Sequence, residues 1–205
     1  RQLSLYKEDK DPSRLTFVVA GGGFTGVEML GELAEGLPKL CKKYDVPYED
    51  VKIVAVEAAA SVIPFFPIES IQYTTEVLEK FNIKMYMSTK ILECTSEKVV
   101  LEDNIEIPTR TLIWSCGVKG NPIVQNCGLP IVKGKIPVDP CLRVKDRKNI
   151  FSIGDCSLFM KDEKNALPPT AQVALQEADV CAKNIVATLR GRSLKAFEYH
   201  HKGSV

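Results

Sequence analysis

Three short stretches hold residues whose types and spacing can do chemistry. Gly21-Gly22-Gly23-Phe24-Thr25-Gly26 fits G-x-G-x-x-G, a pattern in which backbone rather than side chains handles a dinucleotide diphosphate. Gly21 can make the tight turn, Gly23 has no Cβ to block a pyrophosphate, and Gly26 lets the next helix pack closely on a sheet. The exposed N–H groups around Gly22, Phe24 and Thr25 would then hold the diphosphate at a helix start. The alternative is a glycine-rich connection with no ligand. Glu57 closes the next apolar strand, where a carboxylate can accept hydrogen bonds from adenosine ribose hydroxyls. It lies farther from the glycines than the usual ~20 residues, because an insertion near Tyr44 to Asp50 lengthens the crossover. Ala58, Ala59 and Ala60 follow it. No Arg waits there for a 2′-phosphate, which favours NADH over NADPH. Glu28, in the first turns after the glycines, either stabilises the helix through its dipole or stands near the nicotinamide end.

The second stretch is Ile150-Phe151-Ser152-Ile153-Gly154-Asp155. Gly154 permits close approach of a ligand, and Asp155 offers an acceptor for a polyol hydroxyl, as in flavoenzymes that bind a second dinucleotide. The third is Leu167-Pro168-Pro169-Thr170, which opens the last helix with Thr170 as N-cap. A helix N-terminus at Thr170 and Ala171 could stabilise negative charge on a reduced isoalloxazine ring. Gln172 and Gln176 are i and i+4 and share one face, although Gln is also an ordinary surface helix former.

The elements that must position these residues follow a βα order. Leu15 to Ala20 is an apolar, β-branched run suited to a strand buried on both faces. Val27, Leu30, Leu33, Ala34 and Leu37 then fall at helical spacing, with Gly36 and Pro38 expected to break or kink that helix. Val51 to Val56 reads as a second strand and Ser70 to Phe81 as a second helix. Ile83 to Met87, Lys90 to Cys94, Val99 to Leu101 and Thr109 to Trp114 read as further strands. Asn149 to Ile153 reads as another buried strand. Thr170 to Leu189 is the last helix, with Ala174, Ala178, Cys181, Ile185 and Leu189 on one face. The order predicts an α/β fold, a Rossmann-like parallel sheet with helices and a β-meander crossover.

Composition narrows the classes. The 205 residues are 45% hydrophobic and 26% charged, which excludes a disordered tail, a collagen-like repeat or a coiled coil. Net charge is +1, and no basic stripe suits nucleic acid. The apolar runs fall short of the ~20 residues of a membrane helix. Seven scattered cysteines without C-x-x-C spacing predict reduced, mostly buried thiols and no metal site.

FVVAGGGFTGVEMLGELAE, TLIWSCGVKGNPIV, NIFSIGDCS and PPTAQVALQEADVCAKNI together resemble the type II NADH dehydrogenase family, single-subunit flavoproteins that pass electrons from NADH to a quinone without pumping protons. The resemblance runs from about Asp11 to Ser204. It implies that Gly21, Gly23, Gly26 and Glu57 bind NADH with Glu28 near the nicotinamide. Asp155 would bind the ribityl chain of FAD, and Thr170 to Gln176 would face flavin and quinone, since Ala171-Gln172-x-Ala174-x-Gln176 is similar to the family's quinone-site signature. Ser115-Cys116-Gly117 is similar to the interdomain crossing, where Cys116 departs from the more usual Thr-Ala-Gly. His200 and His201 are expected at the surface, and Phe197 to Gly203 resembles the segment leading to a membrane-docking region.

The resemblance further implies an internal fragment with half a flavin site, inactive alone. Residues 1–12 would end a preceding FAD-domain segment or linker, 13–115 would form the NADH-binding domain, and 116–205 would be the C-terminal half of the FAD-binding domain. The whole enzyme would sit peripherally at the cytoplasmic face of the cell membrane, or at the mitochondrial inner membrane in a eukaryote, and a homodimer is compatible with it. The alternatives are a soluble FAD-dependent NADH oxidase or disulfide reductase of the same superfamily, and a non-catalytic NADH-binding redox-sensing module.

Overall fold

The computed structural model describes residues 1–118, 120–162 and 165–203; Ser204, where the resemblance ends, lies outside them. Two compact units divide the chain, Arg1–Gly117 and Val118–Val205.

In the first unit, strands β1 (Thr16–Ala20), β2 (Lys52–Val56), β3 (Lys84–Tyr86) and β7 (Thr111–Trp114) form a parallel sheet in the order β3-β2-β1-β7. Strand side chains alternate between faces, and both faces here are apolar. Phe17, Val19, Ile53 and Ala55 pack with Leu30, Ala34, Leu37 and Leu78, which come from helices α2 (Phe24–Tyr44) and α3 (Ile68–Lys80). Val18, Val54 and Val56 pack on the other side with Val99, Leu101 and Ile107, from an antiparallel meander of β4 (Ile91–Cys94), β5 (Lys98–Leu101) and β6 (Glu106–Pro108). Helices, sheet and meander make three layers, the expected α/β architecture.

Several local expectations change. Helix α2 runs through Gly36 and Pro38, because Ala34, Leu37 and Cys41 all lie buried along it. Ending at Pro38 would strip that stripe from the core. Strand β6 was not apparent in the sequence, since Glu106 and Pro108 are poor strand formers outside tertiary context. Residues 1–12 fall within the first unit, where helix α1 (Gln2–Asp9) buries Leu3 in the helix-side core. The division falls at Gly117–Val118, two residues past the expected boundary.

The second unit contains the short parallel pair β8 (Ile136–Pro137) and β9 (Ser157–Leu158) and helix α4 (Ala171–Leu189). The strand expected over Asn149 to Ile153 is reduced to one bridge between Arg143 and Phe151. Its partner segment is interrupted by left-handed residues at Leu142 (φ 67°) and Asp146 (φ 60°), so no ladder propagates. Helix α4 buries Val173, Glu177, Cys181 and Asn184. Of the face expected from spacing, only Cys181 is buried, and Leu189 is 82% exposed. The stripe is rotated because two of its members are polar and find partners far along the chain. The Asn184 amide donates to the Cys141 and Lys195 carbonyls at 3.0 and 2.8 Å and accepts from the Lys195 N–H at 2.8 Å. No helix among the described residues is long and apolar enough to cross a membrane. The expectation of mostly buried thiols is corrected: Cys41 and Cys181 are buried, whereas Cys94, Cys116 and Cys127 are exposed.

Candidate functional site

Strands β1, β2 and β7 are parallel, so their C-terminal ends meet at one edge of the sheet. Chain order reverses between β1 and its neighbours β2 and β7 there, the place where open α/β sheets bind ligands. Gly21 leaves β1 with φ 99°, a conformation natural only to glycine. Its N–H donates to the Val56 carbonyl at 2.8 Å. The Ser115 hydroxyl, leaving β7, donates to the Ala20 and Gly21 carbonyls at 2.7 and 3.2 Å. The turn is thereby tied to both adjacent strands.

Each glycine has a distinct surrounding. A Cβ at Gly26 would sit 1.8 Å from the Gly21 carbonyl oxygen, whereas one at Gly23 would meet nothing within 4 Å. Gly26 is needed for helix α2 to close on the turn, and Gly23 presents open backbone at the helix start. Glu57 is fixed from two sides: its Oε2 accepts from the Gly22 N–H, and its Oε1 from the Ala59 N–H at 2.7 Å. The acid expected to meet a ribose is thus clamped to the glycine turn itself.

A cleft of about 600 Å³ opens over this edge, lined by Gly21, Gly23, Glu57, Ser115, Cys116 and Gly117 among the expected residues. Phe24 instead packs edge-on against Phe66, centroids 4.8 Å apart, beside a smaller apolar dent. Thr25 and Glu28 are exposed on α2 and are not among the lining residues. Val56, Ala58 and Trp114 also line it without having been assigned to the site, as do Thr89, Lys90 and Ile91, which arrive with the meander. Lys90 adds a cation to the cleft that the lack of an Arg after Glu57 does not address. It stands 33 residues after Glu57 in the chain, and nothing local marks it. Cys116 has its thiol pushed above the usual range by desolvation against the cleft walls, then by the negative charge of Glu57 and by Cys94. The upward direction favours the thiol over the more nucleophilic thiolate.

In the second unit, Gly154 (φ 66°) and Asp155 form a short 3-10 turn. Asp155 is exposed beside Gly120, Asn121, Lys133 and Lys135, in a cleft of about 780 Å³. Thr170 caps α4, its side chain accepting from the Val173 N–H at 3.4 Å. Gln172 and Gln176 share a face as expected, and their amides hold the chain's end. Gln176 donates to the His200 carbonyl at 2.9 Å and accepts from the His200 N–H at 3.0 Å. Gln172 donates to the Gly203 carbonyl at 2.8 Å and accepts from the Lys202 N–H at 3.2 Å. Both histidines are exposed. Glu177, 1% exposed, was not anticipated: it accepts from the Gly154 N–H at 2.6 Å and ties the Gly154-Asp155 turn to α4. Burial pushes its carboxyl above the usual range, opposed by the Gly154 hydrogen bond and the charge of Lys135. Its place in a helix of mixed polarity gave no signal.

Residues 2–178 match the pyridine nucleotide-disulphide oxidoreductase family. The chain is 37% identical over 219 residues to the type II NADH:quinone oxidoreductase of Staphylococcus aureus (strain NCTC 8325), covering 100% of this chain and 54% of that relative. It spans about half the length of the curated relatives it matches. NDH2 from Plasmodium falciparum, solved in complex with NADH, has a similar fold, with TM-score 0.81 and 19% identity over 98% of this chain and 59% of that one. The ferredoxin reductase for the CYP199A2 system from Rhodopseudomonas palustris is similar at TM-score 0.68 and 25% identity, over 91% of this chain and 43% of that one.

Proposed function

Since the chain belongs to the pyridine nucleotide-disulphide oxidoreductase family, we propose that it supplies the NADH site, and part of the flavin and quinone sites, of an FAD-dependent NADH:quinone oxidoreductase that pumps no protons. The observation that carries this reading is the clamp between Glu57 and Gly22, set beside the open backbone of Gly23. On this reading one cleft offers a ribose acceptor and a diphosphate seat. The identity to the Staphylococcus aureus relative supports the choice of quinone as acceptor.

The residues present fit both cofactors. Gly21, Gly22, Gly23 and Gly26 give an approachable turn, and the first N–H groups of α2, at Phe24 and Thr25, have no partners inside the helix and can face a diphosphate. Glu57 accepts from the adenosine ribose hydroxyls, held in aim by Gly22 and Ala59. Ser115 keeps the turn seated, and Cys116 and Gly117 complete the wall. Glu28 faces solvent on α2 and would act only on the nicotinamide end. In the second unit, Gly154 admits close approach, and exposed Asp155 can accept from a ribityl hydroxyl. The N-terminus at Thr170 and Ala171 favours negative charge nearby. When bound, FAD supplies hydride acceptance from NADH and two-electron transfer to quinone. Gln172 and Gln176 build a wall for a quinone by holding His200 to Gly203 against α4, rather than by reacting. An apolar quinone substrate places the enzyme at a membrane surface.

The test is steady-state NADH oxidation by the full-length product of the gene, supplied with FAD, using a short-chain ubiquinone. Quinone-dependent turnover is expected. Robust disulfide or oxygen reduction with no turnover on any quinone would defeat the reading.

A further inference from the structure

Among the described residues that line the first unit's cleft, Lys90 is the one cation and Glu57 the one anion. Their backbones are stitched together. The Thr89 N–H donates to the Glu57 carbonyl at 2.9 Å, and the Ser88 N–H to the Ala59 carbonyl at 2.8 Å. The segment carrying Lys90 therefore runs directly beside the turn carrying the acid. Lys90 is in turn gripped by Glu102, just past strand β5 of the meander. The Glu102 N–H donates to the Lys90 carbonyl at 3.0 Å, and the Lys90 N–H donates to Glu102 Oε2 at 3.1 Å. Lys90 Nζ lies 3.6 Å from Glu102 Oε1. One carboxylate holds both the backbone and the head of the same lysine.

We propose that Lys90 is a second coenzyme-selecting residue of this cleft and that Glu102 is its positioning residue, occupying the ammonium so that the cleft rejects a phosphate on the adenosine ribose. The proposal rests on reading the cleft as an NADH site. Glu57 welcomes two free hydroxyls and repels a 2′-phosphate. Lys90 would attract that same phosphate as a mobile point charge, and would blunt the repulsion if left unpaired. Glu102 cancels it. Selectivity for NADH then depends on two acids, one facing the ribose and one holding the lysine. The Lys90 and Glu102 side chains are 70% and 39% exposed, so the ion pair contributes little to folding. Gln at position 102 would keep an oxygen for the Lys90 N–H and remove only the charge.

The experiment titrates the chain, Glu102→Gln, and the double variant Glu102→Gln/Lys90→Ala with NADH and NADPH at low ionic strength, following energy transfer from Trp114, which lines the cleft. Glu102→Gln is expected to tighten NADPH about three- to fivefold while NADH stays within about twofold, the scale of one exposed ion pair. The double variant should lose that gain, and about 0.5 M salt should erase it. A gain equal for both coenzymes, a gain that persists in the double variant, or no gain would overturn the proposal while NADH binding by the unaltered chain still supports the site. Failure of the unaltered chain to bind NADH would remove the site reading and the proposal together.

Discussion

Alanine at Gly23 and at Gly26 should fail in opposite ways. At Gly26 the new Cβ would lie 1.8 Å from the Gly21 carbonyl oxygen, where ordinary contact begins at 3.4 Å, a deficit of 1.6 Å against backbone. The turn is pinned by the Ser115 hydroxyl and by the Gly21 N–H to Val56, so the helix start must move instead. Overpacking of this kind costs about 1–3 kcal/mol, which at roughly 4 °C per kcal/mol lowers the melting temperature by roughly 4–12 °C. At Gly23 a Cβ meets nothing within 4 Å, and φ of −73° suits alanine. The loss of a favourable N-cap glycine and the gain from a stiffer unfolded chain offset to within about 0.5 kcal/mol. The methyl would instead stand in the path of a diphosphate, at about 1–3 kcal/mol or roughly 5- to 150-fold in Kd. The assays are thermal melts by circular dichroism and NADH titration. Gly23→Ala binding NADH like the unaltered chain would show that no diphosphate crosses that position. Gly26→Ala melting unchanged would refute the packing argument.

Glu57→Gln leaves one amide, Gly22 or Ala59, facing an NH₂ instead of an acceptor; NADH binding should fall about tenfold, at ~1.4 kcal/mol, and selectivity against NADPH should narrow by competitive titration. Glu177 binds its proton more tightly folded than unfolded because burial raises its pKa above the ordinary carboxyl value of 4.5. The second unit should therefore gain stability as pH falls from neutral through the raised value toward about 4.5, and lose it as pH rises. Glu177→Gln, which keeps an acceptor for the Gly154 N–H, should flatten that slope in melts taken across pH, and an unaltered slope would assign it to other groups. Asn184→Ala removes three part-buried hydrogen bonds from the buried Asn184 side chain to the backbone of Cys141 and Lys195 and should cost about 2–4 kcal/mol in urea unfolding; a loss below ~1 kcal/mol would mean that water replaces the amide.

The features legible from residue types alone are those whose physics is short-range. A β-branched run before three glycines specifies a strand and a turn that only glycine can make, and 3.6-residue spacing specifies the helix that follows. An acid at the end of the next strand completes a pattern set by backbone geometry. Tertiary structure decided everything that depends on which distant segments meet. Gly22 and Glu57 are 35 residues apart, and only the parallel pairing of β1 with β2 brings the amide onto the carboxylate. Helix α4 shows the limit most plainly. Apolar spacing pointed to a face through Ile185 and Leu189, yet the core takes Glu177 and Asn184, because Gly154 and Lys195 supply partners that cancel the cost of burying polar groups. Lys90 became a cleft residue for the same reason: a meander strand delivers it beside Glu57, and no local propensity records that arrival.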